Sequence, residues 1–88
     1  MQTNPSPTQN PSTHTLLELK PGERATFLGI HDDRSVWGRL ISLGFTPGVE
    51  VEMMQNHRRG PLMVSVRGTF VALGRGEAAS VMIERKPL

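Results

Sequence analysis

The chain has 88 residues, enough for one domain with a small core, since a chain of this size buries only about 60% of the surface its unfolded form exposes. It contains no cysteine, which excludes disulfides and thiolate zinc sites and fits a cytosolic protein. Ten Lys and Arg against eight Asp and Glu leave a formal charge of +2, and one tryptophan, three phenylalanines and no tyrosine are poor material for a base-stacking platform, so charge and aromatics both argue against a nucleic-acid binder.

Residues 1–15, MQTNPSPTQNPSTHT, hold three prolines and many Ser, Thr, Asn and Gln, with no apolar residue after Met1. Such a segment buries too little surface to offset its ordering entropy, so a disordered tail is expected over 1–15 and a folded domain over 16–86. No basic stretch leads into an apolar one there, so no secretory signal is expected. No apolar run approaches the roughly 18 residues that span a bilayer. The expected location is cytoplasmic, without direct membrane insertion.

The folded part opens with alternating Leu17 and Leu19, a type II turn at Pro21-Gly22 and a strand over 25–30. Asp32 or Asp33, after His31, is placed to cap the helix that follows. On that helix Val36, Trp37, Leu40, Ile41 and Leu43 cover a stripe roughly 160° wide at about 100° per residue, broader than one-sided packing requires. Either the Val36/Leu40/Leu43 side or the Trp37/Ile41 side packs inward, and the other is left for a partner or a second copy. Gly38 costs about 1 kcal/mol relative to alanine inside a helix; close approach of another backbone or tolerated weakness explains it.

Gly44 suits the left-handed position that ends a helix, with Phe45 folding back on Leu40, and Thr46-Pro47-Gly48-Val49 reads as a second type II turn. Val49, Val51 and Met53 then alternate with Glu50 and Glu52 as a half-buried strand. QNHRRGP at 55–61 is a polar hairpin loop, and Leu62, Val64 and Val66 face inward on the next strand. Gly68-Thr69 fits a tight turn with glycine first. Strands follow over 70–73 and 81–85, joined by GRGEAAS, which is too short for more than one helical turn. The fold class is therefore mainly β: a small antiparallel barrel of five to six short strands with one inserted helix.

Catalytic templates fail on supply or context. There is no cysteine nucleophile and no GxSxG elbow. Glu50 and Glu52 share one strand face, but among alternating apolar residues they read as the solvent side. The Gly-rich GRGE lacks the Lys-Ser/Thr and long helix of a phosphate loop. His31, Asp32, Asp33 and His57 supply N/O atoms of the kind that ligate metals, but the three histidines of the chain share no helical or hairpin spacing. No catalytic, cofactor or metal residue is assigned. His57-Arg58-Arg59 is the one concentrated positive feature; an exposed Arg pair contacts phosphate, an acidic protein surface or nothing.

Three segments in order resemble the FeoA family: L-x-x-L-x-P-G-E-x-A from Leu16 to Ala25, RLISLGFTPG at 39–48, and GPLMVSVRGTFVALGRGEAASVMIE at 60–84. The resemblance implies an SH3-like barrel and a non-enzymatic, cytoplasmic accessory protein of bacterial ferrous-iron uptake that needs no cofactor. The implied partner is FeoB, the membrane transporter with a cytosolic GTP-binding domain. Matching positions include Arg39, Leu40, Leu43, Gly44, Pro47, Gly48, Pro61, Arg67 and Gly68, which mostly define the fold. The Pro/Asn/Ser tail and the HRRG loop depart from the pattern. On this reading the expected partner-binding residues are Trp37, Ile41 and Leu43 on the helix and Arg58 and Arg59 in the loop, with an arginine finger from either Arg as a separate version. The alternatives are a detached SH3-like module of the iron-dependent repressor type and a small-barrel nucleic-acid binder using Arg58, Arg59 and Arg67.

Overall fold

Period-two alternation and tight turns carry the chain through six strands: β1 (Thr13–Thr15), β2 (Arg24–Ile30), β3 (Glu50–Gln55), β4 (Leu62–Val66), β5 (Thr69–Leu73) and β6 (Val81–Arg85). Helix α1 (Arg34–Ser42) lies between β2 and β3, a short helix α2 (Arg75–Ser80) between β5 and β6, and a 3-10 turn (Leu16–Glu18) after β1. The structure, a computed structural model, describes residues 13–31 and 34–86. The strands form one antiparallel sheet in the order β1-β6-β2-β3-β4-β5, the mainly β architecture expected. Its inward positions alternate strictly: Val51 and Met53 on β3, Leu62, Val64 and Val66 on β4, and Val81 and Ile83 on β6 join one buried cluster. Each such side chain contributes about 1.5–3 kcal/mol by leaving water. Among the described residues no polar or charged side chain is buried.

Three elements differ from the sequence reading. Thr13–Thr15, inside the expected tail, pairs with β6 as a strand (Thr13 opposite Glu84, Thr15 opposite Met82); residues 1–12 lie outside the described residues. GRGEAAS holds more than the single helical turn expected: α2 runs for six residues and begins where the Glu77 carboxylate accepts the Gly74 N–H at 3.0 Å, filling one of the donors a helix start leaves open. The β4–β5 turn sits one residue earlier than expected. Arg67 (φ 51°) and Gly68 (φ 79°) are both left-handed, and Val66 faces Thr69 as the closing pair. That is a type I′ turn, whose twist matches the strands it joins.

The joint after α1 is built as its residues dictate. Gly44 has φ 103°. Its N–H donates to Ile41 O at 3.0 Å, and the Phe45 N–H reaches back to Leu40 O at 2.9 Å, the paired bonds of a Schellman stop. Phe45 and Leu40 are both buried in the core. The Pro47-Gly48 turn then closes with Val49 N–H donating to Thr46 O at 2.9 Å.

Candidate functional site

Helix α1 settles which of its sides faces the sheet. Val36 and Leu40 are buried, and Leu43 and Trp37 are half-buried and packed against the core. Trp37 meets Phe27 edge-to-face with ring centroids 6.1 Å apart, and Phe27 meets Phe45 in the same way at 5.4 Å. The indole also lies over Gly29, where an added Cβ would sit 3.8 Å from the ring. Ile41 is left 49% exposed, beside an exposed Gly38 where an added Cβ would meet nothing within 4 Å. Among the described residues no backbone from outside the helix approaches Gly38. Arg39 ties the helix down: one guanidinium nitrogen pairs with Glu77 of α2, and the other donates to Ala72 O on β5 at 3.2 Å.

The loop between β3 and β4 is more ordered than its polarity suggests. Asn56 is half-buried, and its amide donates to Leu17 O at 3.0 Å and to Leu19 O at 2.8 Å. Arg75, the first residue of α2, donates to His57 O at 2.5 Å and to Asn56 Oδ1 at 3.3 Å. Gln55 Nε2 donates to His57 Nε2 at 3.1 Å. Arg58 and Arg59 are exposed at the tip. Arg67 stands apart from them in its bonds, donating to Gly44 O and Thr46 Oγ1, so it does not extend the basic loop as a free cation.

On the outer face of β2, β3 and β4 an open groove of about 330 Å³ is lined by Arg24, Val49, Glu50, Glu52, Ser65 and Arg67. Arg24 pairs with Glu50 at 3.5 Å with both side chains well exposed, so the two glutamates of β3 are solvent-face groups and not a buried acid–base pair. Among the described residues no three His, Asp or Glu side chains converge as a metal site. Asp32 and Asp33, expected as caps and weighed as ligands, lie outside the described residues. No helix among the described residues is long and apolar enough to cross a membrane.

A FeoA domain model matches residues 14–85. The chain belongs to the FeoA family. A relative from Methanocaldococcus jannaschii, named for Fe(2+) transport (protein A), is 32% identical over 71 residues, covering 81% of this chain and 85% of its own. Among solved structures, an iron uptake regulatory protein (FeoA) is 31% identical with a TM-score of 0.78, covering 84% of this chain and 99% of the other. The zinc-complexed FeoA of Stenotrophomonas maltophilia, described as a prokaryotic SH3 domain protein, is 34% identical with a TM-score of 0.70, covering 81% and 89%. A manganese-dependent transcriptional repressor shares 18% identity with a TM-score of 0.79 over 88% of this chain and 44% of its own; that likeness is one of fold alone.

In this FeoA-family chain the five residues singled out from sequence fall into two places, the α1 face (Trp37, Ile41, Leu43) and the loop tip (Arg58, Arg59). Only Ile41, Arg58 and Arg59 among them are exposed. Sequence spacing alone does not mark Asn56, Arg75 and Glu77 as organising residues. Their signal in sequence is weak, because each acts on a segment that the sheet, and not chain proximity, brings to it.

Proposed function

We propose that this chain is a non-enzymatic, cytoplasmic accessory protein of ferrous-iron uptake that docks on the cytosolic GTP-binding part of a FeoB-like transporter and modulates it. The observation that carries the reading is the FeoA match across residues 14–85. The exposed Ile41 on an otherwise anchored helix and the two exposed arginines at the loop tip are compatible with docking. Trp37 and Leu43 support Ile41 from beneath, being packed against the core.

Calorimetric titration of the chain into FeoB's cytosolic domain, with and without guanine nucleotide, tests this. Heat of binding in at least one nucleotide state is expected. Silence in both states, with intact FeoB also failing to retain the chain, removes the docking proposal.

A further inference from the structure

We propose that loop 56–61 is a preorganised cationic docking element for an acidic protein segment, held in its binding shape by Arg75. The inference deepens the proposed function and rests on its reading of the partner as a protein.

The loop is fastened from two sides. Asn56 hangs from the carbonyls of Leu17 and Leu19 at 3.0 and 2.8 Å. From the other side Arg75 gathers both ends of the loop, with Nη1 donating to His57 O at 2.5 Å and reaching Gly60 O at 3.4 Å. Both of its terminal nitrogens also reach Asn56 Oδ1 at 3.3 Å. A guanidinium presents several donors in a rigid fork, which a lysine cannot reproduce. Arg58 and Arg59 sit inside this clasp in sequence and outside it in space: both are exposed, and among the described residues neither makes a hydrogen bond or ion pair. Two permanently charged side chains on a fixed backbone meet a partner with part of the ordering cost already met, and carboxylates are the planar anions a guanidinium matches.

Charge complementarity calls for an anionic partner, and the surroundings favour protein over nucleic acid. Nucleic-acid affinity rests on the number of phosphates neutralised, whereas this loop offers two unpaired guanidiniums and a single imidazole, His57, which is bonded to Gln55. Arg67 stands at the opposite end of β4, bonded to Gly44 O and Thr46 Oγ1, and does not extend the patch.

The test uses the full chain and two fluorescent probes, an oligo-glutamate peptide and a single-stranded oligonucleotide of equal charge, read by anisotropy across a salt series. The chain is expected to bind oligo-glutamate more tightly. Arg58→Gln/Arg59→Gln should weaken that binding about tenfold at low salt and flatten its salt dependence, with an unchanged thermal midpoint. Arg75→Lys keeps the charge, so it should weaken binding at every salt concentration without altering the slope, the behaviour of a positioning residue. No binding of oligo-glutamate, or equal binding by wild type and the double variant, overturns the proposal, as does tighter binding of the oligonucleotide. A parallel titration with FeoB's cytosolic domain separates the two levels. Equal FeoB binding by wild type and the double variant leaves the docking reading standing and removes this one. Loop-dependent oligo-glutamate binding without any FeoB binding does the reverse.

Discussion

Arg67 reaches across 23 residues of sequence to Gly44, its Nε donating to the Gly44 carbonyl at 3.2 Å. Both residues are left-handed, at φ 51° and 103°, and a Cβ at Gly44 would come within 3.2 Å of Arg67 Cδ. The same guanidinium donates to Thr46 Oγ1 at 3.0 Å. The β4–β5 turn is thereby clasped to the stop of α1, which fixes the angle at which the helix presents Ile41.

That clasp explains why an arginine tolerates a conformation that costs an L-residue about 1–2 kcal/mol. Arg67→Ala loses the bonds and keeps the backbone cost; Arg67→Gly loses the bonds and relieves it. Urea unfolding should therefore find the alanine variant less stable than the glycine variant by about 1 kcal/mol. Equal midpoints would mean that the turn carries no strain at residue 67.

Asn56 gives a second stability prediction. Its amide serves two carbonyls from a half-buried position, so Asn56→Ala leaves the Leu17 and Leu19 oxygens without that donor. The loss should be about 1–3 kcal/mol in urea unfolding, the range for stranding a buried polar group, with the slope of the transition unchanged. A shift no larger than that of a surface substitution would show that water replaces the amide.

Gly44 and the two Pro-Gly turns are legible in the sequence because each demands a residue type that little else supplies, a positive φ or a preset one. Leu62, Val64 and Val66 are legible because a strand repeats every two residues. β1 is not: Thr13, His14 and Thr15 carry no apolar signal and are ordered by backbone pairing with β6, which composition does not encode. α2 is hidden by the glycines of GRGE and starts through the reach of Glu77 back to Gly74. The loop reads as solvated because Arg75 lies beyond two strands in sequence, and only the folded sheet brings it back to His57 and Gly60. Sequence thus points to Arg58 and Arg59 but not to what holds them.

Near β1 the Glu18 carboxyl lies below its ordinary range. The hydrogen bond from His14 Nδ1, at 2.7 Å, is the main cause. The Thr15 N–H adds to it, as do the charges of His14 and Arg85, while partial burial opposes them. A depressed folded value means that Glu18 contributes stability above the unfolded carboxylate range, and that the contribution is lost as pH falls through the lower folded value. The difference in stability between wild type and Glu18→Gln should therefore shrink as pH falls through the acid range. His14→Ala should move the Glu18 titration, followed by NMR, to higher pH; an unmoved titration would assign the shift elsewhere.

Ile41 and Trp37 separate docking from packing. Ile41 is half-exposed on an anchored helix, so Ile41→Asp should change stability by only about 0.5 kcal/mol, as surface substitutions do, yet abolish the heat of binding to FeoB's cytosolic domain. Trp37 supports the helix through Phe27 and Gly29. Trp37→Ala should therefore lower stability, by about 1–3 kcal/mol for a partly buried aromatic, and weaken docking only through that loss. As the single tryptophan in the chain, Trp37 also reports both events by fluorescence, with a red shift on unfolding and a smaller change when a partner covers the neighbouring Ile41. If Ile41→Asp binds FeoB as wild type does, while Trp37→Ala fails in proportion to its instability, the α1 face is packing alone and docking falls to the arginine loop.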